Sequence, residues 1–240
     1  MSDSATPAVR HVDRLDLSFD AGSWDFAAAR RAEIDALFAE LRRAKPALFN
    51  GRVLLMHRFA IADGVMHGTF LEADYAAFVA WQRWGRPDAG VLDCFGAAAI
   101  QSADGAFLLG VMGGHTFNAG QIYFPCGTPD PSDVIGGTTV DFDFSIRREL
   151  REETGLDPAL LRPEPGWTLA VDGSLIAAVK VLRSELTADV LRARILGNLA
   201  REPQPELADI RIVRGPADFD PAMRGYVTAF LTHRFSHAHE

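Results

Sequence analysis

Arg147-Arg148-Glu149-Leu150-Arg151-Glu152-Glu153-Thr154-Gly155-Leu156 is the stretch on which the reading of this chain turns. From Asp141 to Thr154 the pattern predicts a strongly charged helix, with Gly155 where helices commonly take a left-handed C-terminal cap. On that helix Glu149, Glu152 and Glu153 are related by steps of three and four residues, so three carboxylates converge on one side within about a turn. Ile146 and Leu150, one turn apart, would anchor the opposite face in a core. Like charges so placed repel. Arg148 and Arg151 can relieve the repulsion through salt bridges, and a Glu/Arg-rich helix taken alone is most simply a solvated surface. A hard divalent cation would instead use it, since Mg²⁺ prefers carboxylate and water oxygens and commonly shares its shell with substrate phosphates.

Outward from this helix the chain alternates hairpins and helices. Towards the N-terminus come the strand Ile122-Tyr123-Phe124, the Gly-rich loop Gly113 to Gly120, and the hairpin of Phe95–Ser102 with Ala106–Met112. Earlier still, Trp24 to Arg43 fits an amphipathic helix ended by Lys45-Pro46. Val53–Ile61 and Val65–Leu71 flank an Asp63-Gly64 turn, and Glu72 to Trp84 reads as a helix. Beyond Gly155 follow a hairpin (Trp167–Val171, Leu175–Leu182), a helix from Thr187 to Leu199, a strand Ile210–Val213 and a last helix opening at Asp220-Pro221. Hairpin neighbours without a regular strand-helix period predict an α+β fold with mixed strand directions rather than a doubly wound sheet. The expected division is an N-terminal helical and hairpin subdomain, 1–90, followed by a domain over 91–240.

Of the 240 residues, 48% are hydrophobic and 23% charged, a balance too apolar for disorder. The 24 basic and 32 acidic side chains leave a formal net charge of −8, which argues against holding extended nucleic acid by charge neutralisation. A small anionic substrate stays open provided that local Arg residues or a metal ion receive it. Cys94 and Cys126 lie far apart and form no C-x-x-C pair, so neither a zinc knuckle nor a disulfide scaffold is expected, and a reducing cytoplasm fits best. No stretch of about 18 uncharged apolar residues offers a membrane span, and the polar start MSDSATPAVRHVDRLD lacks the apolar core of a secretion signal.

The order R-E-L-x-E-E-x-G-L, carried by Arg148, Glu149, Leu150, Glu152, Glu153, Gly155 and Leu156, matches the second half of the Nudix box, G-x5-E-x7-R-E-U-x-E-E-x-G-U with U aliphatic. The chain therefore resembles a Nudix hydrolase. Counting back from Arg148 without a gap puts Val140 at the box acid and Val134 at the box glycine. A seven-residue insertion instead gives Gly127 the glycine position and Asp133 the acid position, with Asp in place of Glu. Asp130 is a second acid in that loop, and Asp141 misses the ungapped position by one. More loosely, LFNGRVLLMHRF, LEADYAAFVAWQRWG, FGAAAIQSADGAFLLGVM and PCGTPDPSDV are similar to the UDP-sugar diphosphatase branch of the family, which has a small N-terminal subdomain and a tyrosine-bearing helix.

The resemblance implies a mixed sheet sandwiched between helices and a reaction in which water cleaves a nucleoside diphosphate linked to another moiety, X. An NDP-sugar would give a nucleoside monophosphate and a sugar phosphate; ADP-ribose, coenzyme A and nucleoside triphosphates are alternative substrates, and a Nudix-fold protein that binds a nucleotide without cleaving it is the alternative outside enzymes. Glu149, Glu152 and Glu153 would hold Mg²⁺ or Mn²⁺, and Arg148 would orient Glu149 or Glu152. Glu153 or Glu206 would be the general base. Gly127 would let the loop pack against the helix, and Gly155 would turn the chain after it. Tyr75, Phe117 and Tyr123 could stack on a base or sugar, while Arg83 and Arg86 could meet phosphate. The loop with His115 is neither a Walker A motif nor a dinucleotide fingerprint. His233, His237 and His239 read as a solvated tail, and the two cysteines lack an activating partner.

Overall fold

A computed structural model describes residues 7–46 and 48–237; His239 lies outside them. In chain order the strands are β1 (Ala8–Val12), β2 (Arg14–Phe19), β3 (Arg52–Ala62), β4 (Val65–Asp74), β5 (Asp93–Gln101), β6 (Phe107–Met112), β7 (Ile122–Tyr123), β8 (Val134–Ile135), β9 (Thr139–Val140), β10 (Arg162–Pro163), β11 (Trp167–Asp172), β12 (Leu175–Arg183) and β13 (Leu207–Val213). The helices are α1 (Asp25–Ala29), α2 (Arg31–Ala44), α3 (Tyr75–Arg83), α4 (Phe142–Thr154), α5 (Ala188–Leu199) and α6 (Gly225–Ser236). Two mixed sheets and these six helices make a mixed α/β protein among the described residues, the class expected from the hairpin-rich pattern.

The chain forms two compact units that interleave along the sequence. One comprises residues 7–14, Phe95–Gly127 and 143–237; the other comprises Leu15–Cys94 and Thr128–Phe142. The chain passes from one unit to the other near residue 14, at Cys94/Phe95, and before and after 128–142.

In the first unit the sheet runs β1-β11-β12-β5-β6-β13, with β7 paired to β6 and β10 to β12. Ala97, Ala98, Ala99 and Ile100 on β5, and Ile176 to Val181 on β12 with Lys180 among them, are buried on successive positions, so both faces of these strands are covered rather than one. Helix α5 lies on β13 and β6, and α6 on β11 and β1. Phe107, Phe124 and Phe230 meet edge to face with centroids 5.3 to 6.3 Å apart. Each such ring contributes about 1.5–3 kcal/mol by leaving water.

The second unit holds the sheet β3-β4-β2-β9-β8. Its β3–β4 hairpin turns through Asp63 (φ 49°) and Gly64 (φ 72°), the pair of left-handed residues a two-residue turn requires. Asp74 caps α3 by accepting from the Ala77 N–H at 3.1 Å, so Glu72 to Asp74 end β4 instead of opening the helix expected from Glu72. The segment 134–140 folds into a hairpin: β8 and β9 pair around Gly136 and Gly137, both with positive φ, and Phe19 N–H bonds Thr138 O at 2.7 Å to add it to the sheet.

Four further readings are corrected. The helix expected over Trp24–Arg43 is broken at Arg30 (φ −112°, ψ 21°), whose guanidinium lies over the Trp84 ring. The polar N-terminal stretch forms two strands, because β1 pairs with β11 and β2 takes a place beside β9. β13 begins at Leu207, opposite Met112, three residues before the strand read from the sequence. The last helix begins at Gly225 rather than at Asp220-Pro221: Met223 bridges to Ile122, and Ile122 N–H bonds Ala222 O at 3.0 Å, which commits that segment to extended pairing.

Candidate active site

Helix α4 turns Ile146 and Leu150 into the interior, and with them Ser145, Glu153 and Thr154. The helix ends at Gly155, whose φ of 65° suits a residue without Cβ; a Cβ there would lie 2.7 Å from that of Asn198 on α5. Asn198 in turn donates to Thr154 O at 3.1 Å and satisfies a terminal carbonyl of α4. Thr154 accepts from the Leu156 N–H at 3.2 Å. The chemistry-bearing end of α4 is thus fixed to α5 by packing and hydrogen bonding together.

The three carboxylates do not share one environment. Glu149 is largely buried and accepts from Arg148 at 2.6 Å, while Glu152 reaches solvent and meets the same guanidinium at 3.4 Å. Glu153 is 4% exposed; its Oε1 accepts from the Cys126 N–H at 3.4 Å, and its Oε2 is buried without a partner. Burial, then the charges of Glu206 and Glu149, hold the Glu153 carboxyl well above the usual carboxylate range, against a small opposing pull from the Cys126 N–H. Gly127 lies so close to Glu149 that a Cβ would come within 2.4 Å of its Oε1.

Glu206 stands just before β13. Its carboxyl is raised by burial and by Glu152 and lowered by His115, and its carbonyl accepts from the Gly113 N–H at 2.8 Å. A Cβ on Gly113 would lie 2.9 Å from that carbonyl, so the Gly-rich loop with His115 and exposed Phe117 approaches Glu206 as only glycine allows.

Sequence reasoning missed two side chains where α6 begins, Arg224 before its first turn and Tyr226 within it. The Tyr226 hydroxyl lies 3.7 Å from Cys126 Sγ, and its ring packs edge-on against Phe95. Arg224, at the head of the same helix, moderates the raised pKa values of Cys126 and Tyr226, and among the described residues its guanidinium has no ion-pair partner. Burial and Glu153 push the Cys126 thiol up, the reverse of what a thiol nucleophile needs. The misplaced start of α6 hid both residues.

Tyr75 and Arg83 belong to the other unit. The Tyr75 ring meets Phe38 and Phe78 there, and Arg83 ends α3 on the surface. Arg86 lies over Trp81 and 3.5 Å from Asp93. Asp133, also in that unit, is fully buried: it accepts from the Asp130 N–H at 3.0 Å, while Asp130 accepts from Ser132 at 2.7 Å, a reciprocal cap of the turn Pro131–Asp133. Tyr123 is buried beside Asn118.

Among the described residues, no three His, Cys, Asp or Glu side chains are grouped as ligands of one ion. The donor chemistry nonetheless fits a hard divalent cation: all three helix acids offer oxygen, one buried oxygen lacks a partner, and mutual repulsion opposes ionisation of Glu153.

No family model matches the chain, and no curated protein matches it. Solved structures do: a Nudix hydrolase from M. smegmatis, RenU, is 16% identical over 61% of this chain and 84% of its own, with a TM-score of 0.38. The MutT protein of Methanosarcina mazei Go1 is 19% identical over 62% and 96%, with a TM-score of 0.42. A bifunctional NMN adenylyltransferase/ADP ribose pyrophosphatase of Francisella tularensis is 14% identical over 66% and 45%, with a TM-score of 0.41. Likeness at this level decides neither reaction nor substrate. No helix among the described residues is long and apolar enough to cross a membrane.

Proposed function

We propose that this chain is a divalent-metal-dependent Nudix hydrolase that cleaves the diphosphate of a nucleoside diphosphate conjugate, an NDP-sugar in the first instance, to a nucleoside monophosphate and a phosphorylated X. The observation that carries the reading is Glu153: a buried carboxyl with one unpartnered oxygen, on the R-E-L-x-E-E-x-G-L helix, its ionisation opposed by burial and by the carboxylates of Glu206, Glu149 and Glu152. Leaving such a group unpaired costs roughly 1–3 kcal/mol or more, a cost that a cation and a reacting water would offset.

Glu149, Glu152 and Glu153 would hold Mg²⁺ or Mn²⁺, which when bound neutralises phosphate charge and makes water a better nucleophile at phosphorus. Glu153, whose Oε2 has no protein partner, would accept the proton of the attacking water. Glu206 is the second acid able to do so. Arg148 keeps Glu149 directed through the 2.6 Å bond. Arg224 offers positive charge to a substrate phosphate, and exposed Phe117, on the loop pinned to Glu206, offers a face for a base or sugar.

Product chromatography tests the reading. Purified protein with Mg²⁺ or Mn²⁺ is incubated with NDP-sugars, ADP-ribose, coenzyme A, dinucleotides and nucleoside triphosphates, beside the Glu152→Gln/Glu153→Gln variant. Release of a nucleoside monophosphate and X-phosphate from one conjugate, absent in the variant, supports it. No cleavage by either metal form, together with a nucleotide-dependent rise in Tm, would favour a binding protein.

A further inference from the structure

A cavity of the first unit, about 380 Å³, opens between the β5–β6 turn and the end of α6, lined by Gln101, Phe107, Arg183, His233, Arg234 and His237 among others. The size suits a small ligand. None of these residues belongs to the α4 site. The two guanidiniums converge from different elements on one acid: Arg183 of β12 donates through Nε to Glu164 Oε1 at 2.6 Å, and Arg234 of α6 donates to the same oxygen at 3.0 Å. One carboxylate against two guanidiniums leaves a net positive charge, with N–H groups to spare on both.

Two imidazoles stand beside the guanidiniums, and burial, then His237 and Arg234, lower the His233 pKa and favour its neutral form. His233 of α6 and His237, which caps that helix, are one turn apart with ring centroids 4.4 Å from each other, and the His237 Nδ1 donates to the His233 carbonyl at 2.7 Å, so that its Nε2 is left as an acceptor. The basic residues also complement the C-terminal end of the α6 dipole, but Arg183 and Gln101 come from strands and owe nothing to it. Gln101 supplies a different signal. Its Nε2 donates to Gly105 O at 3.3 Å, which sets the orientation of the amide, and its Oε1 is buried with no partner. A buried acceptor in that state calls for a hydroxyl or N–H donor. Phe235, backed by Phe107 at 5.8 Å, provides an apolar wall.

We propose that this cavity binds a small phosphate monoester of a polyol or sugar, with the phosphate against Arg234 and Arg183 and hydroxyls donating to Gln101 Oε1 and His237 Nε2. Several donors converging from two elements suit a tetrahedral, multiply charged phosphate, and the amide acceptor selects an ester that keeps free hydroxyls.

Isothermal titration calorimetry with ribose 5-phosphate, ribose and inorganic phosphate tests this on the full chain, with Tm recorded for each variant. Wild type and Glu153→Gln are expected to bind ribose 5-phosphate equally, with a Kd below about 1 mM, and ribose not at all. The His233→Ala/His237→Ala variant is expected to lose at least fivefold. Gln101→Leu is expected to weaken ribose 5-phosphate while leaving inorganic phosphate unchanged. Absence of saturable binding would overturn the proposal. So would binding lost in Glu153→Gln but kept in the histidine variant, which would assign the ligand to the α4 site. Inorganic phosphate binding as tightly as the ester would overturn the role of Gln101.

Discussion

The backbone N–H of Cys126 donates to Glu153 Oε1 across 3.4 Å, so the loop leading towards the charged helix holds one oxygen of its most buried acid and leaves the other without a partner. Because the folded state opposes ionisation of Glu153, it keeps the proton to higher pH than the unfolded chain, whose ordinary value is 4.5. The stability from this group is full below that value and is lost as pH rises through the higher folded value. Glu153→Gln cannot ionise. In metal-free buffer, the Tm of wild type is expected to fall relative to that of Glu153→Gln as pH rises from about 5; parallel curves would contradict the assignment.

A cation that binds only the folded acid cluster stabilises it by mass action, about 2.7 kcal/mol at a hundred times Kd, and a protein of this size gains roughly 2–4 °C per kcal/mol. Saturating Mn²⁺ is therefore expected to raise the Tm of wild type by several degrees and to leave Glu152→Gln/Glu153→Gln unchanged in differential scanning calorimetry. Equal shifts in both would move the metal elsewhere.

Gly155→Ala forces a side chain into the left-handed region and towards Asn198. The expected loss is about 1–3 kcal/mol in urea unfolding, with a matching fall in Tm. Gly173, also at positive φ but with open space around it, is the comparison: Gly173→Ala is expected to cost only the backbone part, about 1–2 kcal/mol.

Arg224→Gln removes a cation offered to substrate phosphate without touching the acids of α4. Steady-state kinetics are expected to give a KM about tenfold higher, the equivalent of about 1.4 kcal/mol of binding, with kcat within about threefold. A fall in kcat at constant KM would instead place Arg224 in the chemical step.

Local chemistry was legible where the signal was local. The three- and four-residue spacing of Glu149, Glu152 and Glu153 with Gly155 beyond announced α4 and its cap, and Asp63-Gly64 announced a hairpin whose two turn residues have positive φ. What escaped depended on distant partners. β1 is an edge strand with one buried residue, Val12, and its pairing with Trp167–Asp172 lies far along the chain. The start of α6 was displaced because Asp220-Pro221 looks like a helix opening, whereas Met223 pairs with Ile122 and delays the helix to Gly225. That displacement concealed Arg224 and Tyr226. The burial that separates Glu153 from Glu152, adjacent in sequence and alike in chemistry, comes from packing around α4 and has no mark in the box itself.

Hydrolysis of an NDP-sugar in ¹⁸O-labelled water, with mass analysis of both phosphorylated products, bears most directly on the central claim. The expected result is one ¹⁸O per turnover in a single product phosphate, dependent on Mg²⁺ or Mn²⁺ and absent from Glu153→Gln. Label incorporation that persists at the wild-type rate in Glu153→Gln would contradict the role given to the buried acid, and intact substrate with every conjugate tested would contradict the enzyme.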